Sequence, residues 1–325
     1  MRRILLPAAG LLPVAVGLLL AAVCLLGVAS CGRRAARPAA SEAPASVRGF
    51  RPVEVPAGVA PAERRAYLRD HYWDRFDFAD SLQVREADTL QLVEAFARFA
   101  VLLAATPERA ADPAPVRALM RRASASRPML DLFAMLARTV LHDPNSPLRD
   151  DELYIPVLEA LLAAPYYDDY ERIRPEYDLR MARCNRPGEP AADFGYELRS
   201  GTRGTLRGIE AEYTLLFFGD PDCPACRELG EALVASPMLS EMVERGRLCV
   251  VALAPDVDAA AWRRAAASLP ASWLDACDTE GRIRSEELYD LRALPSLYLL
   301  DAAKRVLLKD TTDVERIEEV IDRRG

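Results

Sequence analysis

Apolar positions recur with different periods along the chain. After Met1-Arg-Arg a largely apolar run reaches Gly27, long for the core of a signal peptide and nearly long enough to span a membrane. Residues 31–60 carry Ala, Pro, Ser and Arg with few large apolar groups, the composition of a disordered tether. From 61 to 184 the spacing is helical. A first helix runs from Pro61 to Arg75 and ends in the aromatic run His71-Tyr-Trp-Asp-Arg-Phe-Asp-Phe78, which is expected to pack on its neighbours. Asp88 to Ala105 predicts a second, with Leu90, Val93, Phe96, Ala97, Ala100 and Leu103 along one face. A third starts at Asp112-Pro113 with Val116, Leu119 and Met120 apolar, and a fourth at Pro128 with Leu132, Met135, Leu136, Thr139 and Val140 spaced for burial. Asp150 or Asp151 caps a fifth over 153–163, Tyr166 to Asp169 reads as solvated loop, and a short basic helix runs over 173–184. These helices suffice for one small bundle.

Asn185-Arg-Pro-Gly-Glu-Pro190 forbids a continuing helix and marks a boundary. Residues 193–198 alternate, 200–204 turn and 205–209 return, predicting a β-hairpin. Residues 213–218, Tyr-Thr-Leu-Leu-Phe-Phe, have no alternation, as in a strand covered on both faces. Further strands are expected over 248–253, 294–300 and 305–309, with helices over 223–235, 237–245, 258–268, 285–291 and 313–323. Cys277 precedes an expected loop, Asp278-Thr-Glu-Gly281. The order is ββ–βαβα–ββα. The fold class is therefore α+β overall: an N-terminal all-α domain over 61–184, then an α/β domain over 190–325 with an extra N-terminal hairpin.

A length of 325 residues accommodates both domains. The net charge is −7, and the first thirty residues contribute only Arg2 and Arg3. The remainder is thus more acidic still and has no basic run, which argues against nucleic acid as a partner. Val28-Ala29-Ser30-Cys31-Gly32 bears on the leader. Small residues before a cysteine resemble the lipobox of a bacterial lipoprotein signal. The resemblance implies a signal peptide over 1–30, diacylation of the Cys31 thiol and acylation of its new α-amine, a stable membrane anchor. A signal anchor with a chance cysteine is the alternative, since Cys24 lies in the same run. Gly32 is not the Asp that resembles an inner-membrane retention signal in enteric bacteria, so an outer-membrane anchor is favoured, with the folded part in the periplasm or at the cell surface. Disulfides persist there.

The candidate chemistry sits at Asp220-Pro-Asp-Cys-Pro-Ala-Cys226, directly after the central strand. Cys223 and Cys226 are three apart, so at a helix start both sulfurs lie near one face. Pro224 suits the first helical position. A thiol at a helix N-terminus faces unpaired N–H groups and the positive dipole end, which favour the reactive thiolate. Cys223 is the expected nucleophile on a substrate disulfide and Cys226 the resolving thiol. Asp220 and Asp222 bring negative charge beside Cys223, and Asp222 is the expected helix N-cap. That charge opposes the dipole and places the expected couple nearer the reducing side.

This order of elements, with a dithiol opening the helix after the first core strand and an X-Pro before the last strand pair, resembles the thioredoxin fold. The hairpin in front is similar to the periplasmic, membrane-tethered branch related to cytochrome-maturation reductases. Asn185-Arg-Pro-Gly, residues 213–218, the dithiol segment and Leu291-Arg-Ala-Leu-Pro-Ser-Leu-Tyr-Leu-Leu-Asp301 resemble bacterial lipoproteins that fuse a helical domain of unknown function to a thioredoxin-like domain; Asp143-Pro-Asn-Ser-Pro-Leu148 and Tyr154-Ile-Pro-Val-Leu158 look like that helical domain. The resemblance implies that Pro295 is a cis-proline facing the dithiol and that Leu294 lies at the edge recognising extended substrate chain. Here Asp222 replaces the aromatic residue that often precedes the first cysteine.

No cofactor or metal is expected, because one C-x-x-C needs two more zinc ligands, the only histidines, His71 and His142, lie in the other domain, and no second C-x-x-C exists. Cys249 reads as a core thiol. Cys184, Cys249 and Cys277 are an odd set, which leaves at least one free or bonded outside the chain, and a Cys184–Cys277 bridge stays open. The first functional reading is a lipid-anchored periplasmic thiol–disulfide oxidoreductase acting on envelope protein thiols or disulfides, a reductase rather than an oxidase. The other is a cell-envelope binding module with an inactive thioredoxin-like scaffold.

Overall fold

The structure, a computed structural model, describes residues 48–104, 113–220, 222–255, 259–264 and 269–324. The apolar leader, Cys31, most of the expected tether, Asp112 and Asp258 lie outside them. The described end of the tether is packed: Phe50 is buried, stacked on Tyr72 at 4.9 Å and edge-on to Trp73 at 5.1 Å. One aromatic residue among short polar ones has no period, so only its partners reveal it.

The helical part contains α1 (Arg64–His71, after a 3-10 turn at Pro61–Glu63), α2 (Gln83–Glu86), α3 (Thr89–Ala104), α4 (Ala114–Ala123), α5 (Arg127–Ala137), α6 (Asp151–Ala163) and α7 (Asp169–Arg183). Trp73 sits among Phe76, Phe99 and Phe133 in edge-on contacts of 5.1–6.0 Å, so the aromatic run after α1 does pack inward. The buried stripe of α3 is Leu92, Ala95, Phe96, Phe99, Ala100 and Leu103, rotated from the expected one; Leu90 is 66% exposed. That helix is apolar around most of its girth, and the aromatic cluster selects the stripe. Helix α5 runs on as a π-helical turn, Arg138–His142. Asp150 caps α6 through the Leu153 N–H. Helix α7 begins earlier than its basic residues suggest, at Asp169 rather than in loop, because Asp168 and Glu171 form a capping box; Asp168 itself is an exposed residue before the helix.

The C-terminal part holds β1 (Gly195–Leu198), β2 (Arg203–Thr205), β3 (Tyr213–Phe218), α8 (Pro224–Ala235), α9 (Pro237–Glu244), β4 (Leu248–Ala254), α10 (Ala259–Arg264), β5 (Leu274–Cys277), α11 (Arg282–Ser285), β6 (Ser296–Asp301), β7 (Val306–Thr311) and α12 (Val314–Asp322). The strands form one sheet in the order β2-β1-β5-β4-β3-β6-β7. Strand β3 is parallel to β4 and antiparallel to β6, and all six of its residues are buried. Tyr213, Leu215 and Phe217 face a core with Leu229 and Leu233 of α8, Leu239 and Met242 of α9, and Ile317 and Ile321 of α12. Leu216 and Phe218 face the opposite core with Phe194, Leu206, Ile283 and Tyr289. Strand β5 is not among the expected strands, and the expected loop follows it at 278–281. Four residues with a central acid carry no strand signal; pairing with β4 and β1 creates the strand, and Asp275 is held by Arg199 and by the Trp262 indole N–H at 3.1 Å.

Residues 185–190 are fixed in place. The buried Asn185 donates to the Leu288 carbonyl and accepts from the Ala192 N–H, both at 2.7 Å. The Gly188 N–H donates to Val306 and the Val306 N–H to Glu189. The described chain from residue 48 onward accordingly forms one compact unit.

Candidate active site

Strand β3 ends at Phe218, and the chain passes over the start of α8 before entering it. A Cβ built on Gly219 would lie 3.5 Å from the Cβ of Cys226. Cys223, not Asp222, is the N-cap of α8: its sulfur accepts from the Cys226 N–H at 3.2 Å. Asp222 instead closes the preceding loop, its N–H donating to the Asp220 carboxylate at 2.8 Å. Pro224 occupies the first turn, where no N–H is needed. Leu229 and Leu233, four apart, bury the inner side of the helix and hold its N-terminus at the end of β3.

The two sulfurs have different surroundings. Cys223 is half-buried, whereas Cys226 is 4% exposed. The Asp220 N–H donates to the Cys226 sulfur at 3.5 Å. Burial, then the hydrogen bond with Cys223, pushes the Cys226 thiol up to about 12, and the Asp220 carboxylate adds to the rise. One outer and one inner sulfur is the arrangement a two-step exchange needs. Iodoacetamide at pH 8 is therefore expected to label Cys223 of the reduced protein at least about tenfold faster than Cys226, read by peptide mass spectrometry. Equal rates would contradict the asymmetry.

The Leu294–Pro295 bond is cis. Ser296, the next residue, pairs with Phe218, so Pro295 adjoins the end of β3 from which the dithiol loop departs. Leu294 and Cys223 both pack, half-buried, against the core that contains Cys226. The register thus brings Pro295, Leu294, Cys223, Cys226 and Asp220 to one end of the central strand. Cys184 is a free thiol, as is Cys249, so the Cys184–Cys277 bridge is not formed; Cys184 meets the Glu287 carbonyl at 3.8 Å. Cys249 is half-buried at the margin of a core rather than inside it.

Sequence reasoning missed a buried ionic network behind the cis-proline. Arg292, three residues before Pro295, pairs with Asp290, with Asp151 at 3.2 Å and with Asp310 at 3.8 Å. It also donates to the His142 carbonyl at 3.2 Å and contacts the His142 ring. Lys309 joins Asp151 at 2.9 Å and donates to the Met181 and Ala182 carbonyls at the end of α7. Asp310 also pairs with Arg149 at 3.2 Å and accepts from the Ser296 hydroxyl at 2.8 Å. Burial alone would raise the Asp151 carboxyl, but Lys309 and Arg292 hold it below the usual range. Burial and then Arg292 lower His142 to about 3, so the ring is neutral at pH 7. The network ties the helical part to the segment carrying Pro295. Its directly bonded members lie up to 161 residues apart, and the only local hint is the Asp290–Arg292 spacing.

A family described as a domain of unknown function (DUF5106) matches residues 30–185. The crystal structure of a thioredoxin-like protein from Bacteroides caccae is 35% identical, with 86% of this chain and 100% of that chain covered and a TM-score of 0.79. The C-terminal domain of an uncharacterized protein from Bacteroides fragilis is 41% identical over 42% of this chain and 98% of that one, with a TM-score of 0.41. No curated protein matches the chain.

Proposed function

Since the chain belongs to the thioredoxin-like family, we propose that it is a thiol–disulfide oxidoreductase, held to the cell envelope by lipid on Cys31 and working as a reductase on envelope proteins. The observation that carries this reading is the half-buried Cys223 sulfur at the α8 N-terminus with Cys226 buried behind it. Cys223, as thiolate, attacks one sulfur of a substrate disulfide. An S–S bond forms to Cys223, the substrate S–S bond breaks, and one substrate thiolate leaves. Cys226 then attacks the Cys223 sulfur, closes the intramolecular disulfide and releases the second substrate thiol. Two electrons pass to the substrate, and an external dithiol must return them. Once Cys223 is in the mixed disulfide, the push from its thiol on Cys226 is gone and burial, the larger cause, remains, so the resolving thiol ionises more readily than in the free dithiol.

Pro295 and Leu294 shape the groove in which extended substrate backbone lies. The direction rests on Asp220 and on the burial of Cys226. Negative charge and burial disfavour thiolates, so the disulfide form is favoured and the couple is a reductant. The lipid anchor and periplasm-facing location rest on residues 28–32. A binding module with an inert disulfide is the poorer reading, because Cys223 is partly exposed beside Pro295.

The test is the reduction potential of the Cys223–Cys226 couple in the full chain in detergent, equilibrated with glutathione or dithiothreitol buffers. A reversible two-electron couple below about −200 mV is expected. A value near about −120 mV, the range of strong oxidants, would recast the protein as a disulfide-forming catalyst. A pair that stays oxidised until the fold is lost would favour the binding module.

A further inference from the structure

The π-helical turn Arg138–His142 opens a cleft in the helical part. Such turns widen a helix locally and recur at functional sites. The cleft has a volume of about 460 Å³, within the range of small-molecule sites. Arg138 and Thr139 come from the turn, Arg174 from α7, and Arg292 with His142 from the buried network. Three guanidinium groups therefore converge on one space.

Their donors are not equally engaged. Arg292 forms the inner wall, with both terminal nitrogens taken by His142, Asp151 and Asp290. Arg174 spends its Nε on Asp178 at 2.7 Å and is otherwise open to solvent. Arg138 is exposed; its backbone carbonyl accepts from the Asp143 N–H at 2.9 Å, and its guanidinium has no hydrogen-bond or ion-pair partner among the described residues. The neutral His142 ring is stacked on Tyr154 at 4.6 Å and adds no charge of its own. The wall is completed by Met135, Pro144 and Asp143, whose carboxylate is engaged by the Asn145 N–H at 2.8 Å.

We propose that this cleft binds a small organic monocarboxylate, the carboxylate on Arg138 and Arg174 and an apolar part against Met135 and Pro144. A guanidinium with no partner is the complement of a single carboxylate, which it holds through two parallel N–H donors. Asp143 at the rim opposes a second negative charge, so phosphate dianion fits less well. The Thr139 hydroxyl donates to the Met135 sulfur at 3.9 Å. No step of this binding involves Cys223 or Cys226, so the site stands or falls separately from the redox reading.

The test is a ligand-observed NMR titration of the full chain in detergent with 4-methylpentanoate, 4-methylpentan-1-ol and inorganic phosphate. Saturable binding of the carboxylate is expected, at least about tenfold tighter than the alcohol, as befits a charge-assisted hydrogen-bonded pair. Phosphate is expected to bind more weakly than the carboxylate. Arg138→Gln, at an exposed position, is expected to weaken the carboxylate about tenfold and to leave alcohol binding and the denaturation midpoint unchanged. Arg174→Gln serves as the second variant, with the same direction. Absence of saturation, equal affinity in Arg138→Gln, or phosphate binding tighter than the carboxylate would each overturn the assignment.

Discussion

Cys223→Ser is expected to abolish disulfide exchange, with a loss of at least about a thousandfold in the rate of insulin reduction by dithiothreitol. The size follows from the arrangement of the two sulfurs. Cys226 is buried and its thiol is pushed up to about 12, so it cannot replace the outer sulfur as the first nucleophile. Cys226→Ser behaves differently. Its Cys223 still attacks, but nothing resolves the product, and a stable mixed disulfide accumulates with a model disulfide such as oxidised glutathione. Intact-mass spectrometry reads that adduct directly. An adduct on Cys223→Ser instead, or exchange activity surviving in it, would reverse the roles of the two cysteines.

Arg292→Met is expected to destabilise the fold by about 3–5 kcal/mol, a large part of the roughly 5–15 kcal/mol typical of a folded domain. Arg292 is 12% exposed, and the carboxylates of Asp290, Asp151 and Asp310 around it are 2%, 10% and 7% exposed. Removing the cation leaves those charges without their shared partner in a largely buried region. Asp151 keeps Lys309 and Asp310 keeps Arg149, so Asp290 suffers most. The cost is read from the urea midpoint at unchanged slope. Adding Asp290→Asn to Arg292→Met is expected to recover part of it, because the uncompensated charge is then gone. A loss below about 1 kcal/mol, or no recovery in the double variant, would show that the network is loosely solvated and contributes little.

The residues that carry the candidate chemistry are contiguous, and that is why they were legible. Residues 213–226 supply strand, loop, proline and both cysteines in one stretch, and their geometry follows from local rules of strand burial and helix capping. Even there one detail needed coordinates: the cap is Cys223 rather than Asp222. A side-chain oxygen is the usual cap, but here the sulfur reaches the Cys226 N–H and the loop closes on Asp220.

What the sequence by itself determined is the α+β division, the helices with marked caps and breakers, the fully buried central strand and the dithiol after it. Each is set by contacts within a few residues, or by an apolar run that has only one way to be buried. The tertiary structure decided the rest. Phe50, strand β5 and the buried stripe of α3 depend on partners far along the chain. The Arg292 network and the cleft beside it bring together α5, α7 and the segment before β6. A charged side chain reads as surface unless the opposite charges that permit its burial are known, and those charges lie in other elements. Periodicity cannot register such a pairing, because it is a property of packing and not of spacing.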